Sequence, residues 1–404
     1  MTGNFLCTFA SDLVSNLTAY PRTVKILLIS SAQSMGGGER HLADLANGLN
    51  ARGHEVYLAL RPNSPVGAEL KQIGKEHVTT LPLRNSLDAK SARELSKLVR
   101  RNGIQIVHAH MARDYPLAAY AVRQNRGSRL IVTRHVLFPL SRLHRITLSG
   151  ARIIAVSQAV AAQLRCDQVV APEMISVVFN GIDTTRFEEV SRRFDRERFL
   201  RDWRFPSESL LVGTVGELTP LKGQAEFLQA AAQVVTHYPN AHFFIAGLDH
   251  SPGNKNQKAL ERLIEELNLA DRVRLVGWLD DLASLYCALD VFVSASHTES
   301  FGLAIAEAMS SSAAVVATET EGAREIIRPG ETGVLVPVRD VGKLTSGILE
   351  LLDDGDKRTR LGQAAQQSVA ARFGIERMLD ETEAIYREEI EKDLPRTRLS
   401  NRKT

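Results

Sequence analysis

The sequence predicts an α/β protein made of two doubly wound, parallel-sheet domains that face each other across a cleft. Three observations carry this. Short apolar runs alternate with segments of helical period, the pattern of a parallel sheet with crossover helices. The alternation breaks once, over a charge-dense stretch at 183–209, and then restarts. The length of 404 residues suits two domains of ordinary size and leaves enough chain for two cores.

The first run, VKILLIS (24–30), is apolar throughout, as a strand covered on both faces should be. Gly36, Gly37 and Gly38 follow, then a helix in which Leu42, Leu45, Ala46 and Leu49 recur on one face. Gly53 ends it and EVYLAL starts the next strand, completing a βαβ unit. Residues 88–102 read as a helix with a basic outer face. IQIVHAH, RLIVTRH and ARIIAVS read as strands, and VVFNGID closes the half. After the linking stretch come the strands LLVGTVGEL, HFFIAGL, VRLVGWL, VFVSAS, AAVVAT and GVLVPV, separated by helical segments. FGIERMLDETEAIYREEIEKDL reads as a long amphipathic helix. The expected division is a tail at 1–22, a first domain at 23–195, a second at 196–375, a helix at 376–395 and a basic tail at 396–404. In doubly wound sheets ligands bind beyond the carboxyl ends of the strands, so the cleft is where chemistry is expected.

Net charge is +3 but unevenly spread. Residues 1–180 hold 22 Lys and Arg against 11 Asp and Glu, and residues 181–404 hold 28 against 36. A basic half suits an anionic partner, and a solvated basic surface with no partner accounts for it equally well. Cys7, Cys166 and Cys287 are odd in number and far apart, which argues against a disulfide framework and a zinc site and fits a reducing compartment. No apolar run approaches the ~18–20 residues that span a bilayer. Residues 1–22 contain Asp12 and lack an early basic cluster, so they read as a loose tail and not as a secretion signal. The basic half lacks interleaved aromatics and any nucleic-acid-binding module, so no nucleic-acid partner is expected.

The most informative segment is HTESFGLAIAEAM, 297–309. It follows a strand and opens a helix. Glu299 lies in the loop, Phe301, Gly302 and Leu303 can present free N–H groups at the helix start, and Glu307 lies farther along. Unpaired N–H groups and the helix dipole attract phosphate, and carboxylates accept several hydroxyl hydrogen bonds. Two glutamates at this spacing are also compatible with a cap and a surface residue.

The whole string resembles the E-F-G-L-x-x-x-E-A-M signature of GT-B glycosyltransferases of family 4, with Ser300 inserted after the first Glu. Other segments agree in order. GGGERHLADLANGL is similar to the family's first loop and helix, and IVHAH and VTRHV to its two histidine-bearing strand ends. FNGIDTTRF resembles the segment before the donor domain, and VGELTPLKG the V-G-R-L-x-x-x-K-G motif. The terminal helix resembles one that crosses back onto the first domain. The resemblance spans residues 24 to about 390.

It implies a GT-B fold, with two Rossmann-like domains and the donor on the second. The implied activity is a retaining glycosyltransferase. It would move a sugar from a UDP- or GDP-linked donor to a lipid-linked or polysaccharide acceptor in cell-envelope glycan assembly. Lys222 would meet the donor diphosphate, Glu299 the donor-sugar hydroxyls and Glu307 the ribose. Phe301, Gly302, Leu303 and Gly277 would complete the donor site, and Gly36, Gly37 and Gly38 would lie near the donor phosphate or acceptor. His135 matches the histidine that reaches the reacting sugar; from the residues alone it is equally a strand-end histidine bonded to backbone. His110 is assigned to the acceptor side and His108 to structure. No metal ligand set and no cofactor are expected, because the nucleotide sugar is a substrate. The expected placement is cytoplasmic, with the basic half facing an anionic membrane surface at the inner face of the cell membrane.

One residue departs from the pattern. Glu217 stands where the family carries a basic partner for Lys222. Unit like charges 4 Å apart at an effective dielectric of 20 repel by about 4 kcal/mol. Three accounts stand open: Glu217 points away, it binds a sugar or cation, or transferase activity is lost. Arg324 or Arg134 would be replacement cations. The alternatives to a transferase are a non-catalytic sugar-nucleotide-binding subunit and a sugar-nucleotide epimerase.

Overall fold

A computed structural model of the protein describes residues 23–141 and 144–392. The tails expected at 1–22 and 396–404, and the end of the segment expected at 376–395, lie outside the described residues. The chain forms two parallel sheets. The first contains β1 (Lys25–Ser30), β2 (Glu55–Leu60), β3 (Val78–Thr80), β4 (Ile106–Ala109), β5 (Arg129–Arg134), β6 (Arg152–Ala155) and β7 (Ile175–Val177). The second contains β8 (Leu210–Val215), β9 (Ala241–Ala246), β10 (Val273–Val276), β11 (Val291–Ser294), β12 (Ala314–Thr318) and β13 (Val334–Val336). The spatial orders are β3-β2-β1-β4-β5-β6-β7 and β10-β9-β8-β11-β12-β13. Every pairing within them is parallel. Two doubly wound α/β domains are therefore present, as the alternation of apolar runs and helical segments predicts.

Each sheet has one point where strand order reverses, between β1 and β4 in the first and between β8 and β11 in the second. Chains leaving the strands there diverge to opposite faces and open a crevice. The glycine loop follows β1. The loop with Glu217 and Lys222 follows β8, and the loop with Glu299 follows β11.

The linking stretch is helical over Thr184–Arg193 and Arg196–Asp202. Asp183 and Asp195 cap these helices by accepting from the Arg186 and Arg198 N–H groups. A second crossing lies at Gly374, which separates the helix Gly355–Phe373 from the helix Ile375–Glu391. There Ile182 N–H donates to the Phe373 carbonyl at 2.8 Å and Ile375 N–H to the Ile182 carbonyl at 3.0 Å. The last helix lies on the first domain. Met378, Leu379, Ile385 and Tyr386 join the core with Leu28, Leu42 and Ile131, and Arg52 pairs with Glu376, Asp380 and Glu383. The halves also touch through Phe179, Phe301 and Phe373, whose ring centroids are 5.3–6.2 Å apart. Glu325 accepts from the Gln158 and Ala159 N–H groups at the start of the helix Gln158–Asp167, where a carboxylate opposes the helix dipole.

Asp114 steadies the loop after β1. Wholly buried, it accepts from the Ser31 N–H at 2.8 Å, and burial pushes its carboxyl up to about 6. Unfolded aspartate titrates near 3.9. Between about pH 4 and 6 the native state keeps a proton that the unfolded chain has released, so stability falls as pH rises through that window. A shift of about two units corresponds to roughly 3 kcal/mol. Asp44, also raised to about 6 by burial, contributes to the same slope. Asp114→Asn should therefore reduce the loss in unfolding free energy between pH 4 and 7 by up to about 3 kcal/mol, measured by urea denaturation. A slope equal to that of the unaltered protein would show that Asp114 ionises freely in the native state.

Candidate active site

The two crevices open into one cavity of about 460 Å³, lined from both domains. The first domain contributes Gly36, Gly37, Gly38, Glu39, Arg40, His135 and Asn180. The second contributes Glu217, Lys222, Gly277, Trp278, Glu299, Phe301, Gly302, Leu303 and Glu307.

Lys222 ends a short 3-10 turn, Pro220–Lys222, and is followed by Gly223 at φ 66°. A Cβ on Gly223 would stand 2.0 Å from the Ala295 carbonyl oxygen. Only glycine lets the β8 loop press this closely on the β11 loop. The result is a direct ion pair, Lys222 Nζ to Glu299 Oε1 at 2.6 Å, though 77 positions separate the two in sequence. Ser296 Oγ donates to the same oxygen at 2.8 Å. The Gly322 N–H donates to the Glu299 carbonyl at 3.0 Å, tying down the loop backbone.

The helix Leu303–Ser310 starts at Gly302, whose φ of 103° directs the chain into its first turn without a side-chain cap. The N–H groups there have no capping partner, as an anion site requires. The Phe301 ring is in the core at 2% exposure, which leaves its backbone at the cavity wall. Glu307 lies one turn in, 7% exposed. Tyr286 OH donates to its Oε2 at 2.9 Å, and Arg40 Nε is 3.9 Å from Oε1. Burial raises the Glu307 carboxyl above the usual range, against the pull of Arg40.

Opposite stands the glycine loop. A Cβ on Gly37 would come 2.8 Å from Leu303 Cδ1, and one on Gly38 would come 3.4 Å from His135 Cγ. Absent side chains thus let the first domain reach the second-domain helix and cover His135.

These features can be set beside known proteins. Residues 195–368 match the family model described as glycosyl transferases group 1, and residues 35–186 match that described as glycosyltransferase family 4. Together the two matches take in most of the chain, one in each domain. The chain belongs to the group 1, family 4 glycosyltransferases.

Among relatives of this family, it is 25% identical over 383 residues to the N-acetyl-alpha-D-glucosaminyl L-malate synthase of Bacillus anthracis, covering 90% of this chain and 97% of that one. It is 26% identical over 355 residues to the lipopolysaccharide core biosynthesis glycosyltransferase LpsE of Rhizobium meliloti, covering 85% and 94%. In fold it is similar to a Rickettsia africae glycosyltransferase, with TM-score 0.81, 21% identity and coverage of 91% and 99%. It is also similar to Anabaena HepE in complex with UDP and glucose, with TM-score 0.79, 23% identity and coverage of 90% and 100%. These structures establish a GT-B glycosyltransferase fold.

Against the family pattern, the departing Glu217 is exposed on the cavity wall. Its charge adds a small upward push to Glu39, whose carboxyl is raised mainly by burial. The two replacement cations expected from sequence are engaged elsewhere. Arg324 pairs with Glu319 at 2.7 Å, and Arg134 donates to the Phe138 carbonyl; neither lines the cavity. Arg40 does. Sequence reading missed it, although it directly follows the glycine loop and Glu39 that the family pattern marks.

His110, assigned to the acceptor side by the resemblance, lies behind the cavity wall. It is 5% exposed and does not line the cavity; its Nδ1 lies 3.3 Å from Nε2 of His135, which does. His108 is wholly buried, with Nδ1 2.7 Å from Tyr386 OH and Nε2 2.7 Å from Thr133 Oγ1. His41, unremarked in sequence, joins the group at 4% exposure. Burial lowers all four rings, His41 to about 4 and His108 to about 3, with His110 and His135 well below the usual histidine value. They are neutral at physiological pH. Sequence predicted no metal ligand set; the fold nevertheless places one nitrogen each of His41, His110 and His135 within 4.8 Å of one another.

Proposed function

We propose that this glycosyltransferase moves a sugar, with retention of anomeric configuration, from a UDP- or GDP-linked donor to a lipid-linked or polysaccharide acceptor in cell-envelope glycan assembly. The observation that supports this best is the Lys222–Glu299 pair, held in the same cavity as the uncapped start of the helix Leu303–Ser310 and the buried Glu307. When the bond between the anomeric carbon and the phosphate oxygen breaks, the leaving nucleoside diphosphate gains negative charge. A fixed ammonium and helix-start N–H groups stabilise that charge more in the transition state than in the ground state. Glu299 holds donor-sugar hydroxyls. Glu307 accepts the ribose hydroxyls on the oxygen that Tyr286 leaves open. His135 contacts the reacting sugar from the first domain. The departing phosphate takes the proton of the attacking acceptor hydroxyl, so the acceptor enters on the face the phosphate leaves. HepE, similar in fold, was crystallised with UDP and glucose, which supports a nucleotide-sugar donor here.

Thermal-shift titration with a panel of nucleoside diphosphates tests the donor class. A ligand at 100 times its Kd stabilises by about 2.7 kcal/mol, so one base should raise the melting temperature clearly. A flat response to every nucleotide would remove the donor assignment. Binding without transfer or slow donor hydrolysis would favour a non-catalytic subunit, with Glu217 as the cause. The anomeric configuration of the product, read by NMR, tests retention.

Glu307→Gln should raise the donor KM about tenfold or more, roughly 1.4 kcal/mol, and leave kcat within a few-fold, because the lost charge serves ground and transition states alike. An unchanged KM would place the ribose elsewhere.

The acceptor side is basic. On the helix Ala89–Asn102, Lys90, Arg93, Lys97, Arg100 and Arg101 are exposed, while Leu95 and Leu98 are buried in the core. No helix among the described residues is long and apolar enough to cross a membrane. A membrane contact through this helix would be electrostatic. Binding to anionic vesicles should weaken as salt rises, and equal binding to neutral vesicles would contradict it.

A further inference from the structure

We propose that His41, His110 and His135 bind one divalent transition-metal ion of the zinc type just behind the first-domain wall of the cleft, where His135 reaches the cavity. The three rings come from different elements: the helix Gly37–Ala51 and the ends of β4 and β5. Their centroids are 4.9, 5.6 and 5.7 Å apart, a near-equilateral arrangement around a common point. His110 Nδ1 and His135 Nε2 are 3.3 Å apart. Two nitrogens bonded tetrahedrally to one ion at about 2.0–2.1 Å stand about 3.3–3.4 Å apart. The widest pair of candidate ligand atoms, at 4.8 Å, would have to close by roughly 1.5 Å to reach that spacing.

A second observation points the same way. His41 Nδ1 is buried and has no hydrogen-bond partner. A buried polar atom left unsatisfied costs about 1–3 kcal/mol, and a bound ion with its water would relieve part of that. The neighbouring His108 does not compete, because both of its nitrogens are already engaged. Three imidazoles with no carboxylate suit zinc, cobalt, nickel or copper and not magnesium or calcium. Three protein ligands also leave a fourth position for water or another oxygen.

The site itself is independent of the transferase reading. One consequence rests on that reading: an ion held by His135 withdraws this residue from the reacting sugar, so zinc inhibits transfer.

The metal-free full chain is titrated with Co²⁺ and then Zn²⁺, without nucleotide sugar. The expected result is one equivalent of Co²⁺ with the visible absorption of a tetrahedral site, displaced by Zn²⁺. His41→Gln and His110→Gln should each weaken binding about 100-fold or more, and His237→Gln, on an exposed helix position, should not change it. A wild-type measurement covers the case in which a variant misfolds: zinc should shift the imidazole ring NMR signals of His41, His110 and His135. Absent binding, or binding retained in both variants with no shift of these ring signals, overturns the site. Zinc bound with transfer unimpaired overturns the inhibition alone and leaves the donor reading to its own nucleotide titration.

Discussion

Replacing Lys222 with alanine should lower kcat/KM for sugar transfer about 10²–10³-fold, equivalent to roughly 3–4 kcal/mol of transition-state stabilisation. The ammonium is held 2.6 Å from Glu299, so it is fixed before the donor arrives and needs no reorganisation as charge develops on the leaving phosphate. Its loss acts twice. The diphosphate loses its positive neighbour, and Glu299, only 13% exposed at its side chain, keeps a negative charge in the cavity with Ser296 as its remaining side-chain partner. Glu217 and Glu39 deepen the effect, because they leave Arg40 as the remaining cation on the cavity wall. Lys222 lies on a loop outside the core, so the melting temperature should change little. Lys222→Arg should recover part of the rate. A loss below about threefold in steady-state kinetics would show that the diphosphate charge is met elsewhere.

The largest expected effect on stability comes from Tyr386→Ala, about 3–5 kcal/mol. Tyr386 is 1% exposed and packs in the first domain's core although it belongs to the last helix. Its hydroxyl lies 2.7 Å from His108 Nδ1, so truncation leaves both a cavity and an unpaired buried nitrogen. Tyr386→Phe keeps the ring and should cost about 1–2 kcal/mol. The gap between the variants separates packing from hydrogen bonding. At about 2–4 °C per kcal/mol for a domain of this size, alanine should lower the first domain's melting temperature by roughly 10 °C. The helix also carries the return from the second domain to the first, so hydrogen exchange should rise along 375–391 in the same variant. Full retention of stability would mean that the helix docks without this anchor.

Much of the geometry of the second-domain cavity wall was legible because it is local. Residues 291–310 form one strand–loop–helix unit, and backbone geometry alone sets Glu299, the free N–H groups of the helix start and Glu307 along one short path. Lys222 was legible only through the family pattern and the expected doubly wound topology. Its contact with Glu299 depends on β8 lying beside β11 and on Gly223 letting two loops touch. Arg40 was not legible: a charged residue in the first turn of an amphipathic helix has no spacing that separates a cavity wall from a solvent face. His108 and His110, two apart at a strand end, point to the same face, and how near either comes to the cleft depends on what covers them.

By itself the sequence determined the class of fold, the order of the elements and the family, because hydrophobic period and short glycine- and glutamate-bearing motifs are local properties of the chain. Only the tertiary structure decided which charges meet: Lys222 with Glu299, Arg40 near Glu307, Arg324 spent on Glu319, and three histidines around one point. Such pairings depend on distances of a few ångströms between segments tens of residues apart. Those distances are set by strand order, helix docking and the side chains that glycine leaves out.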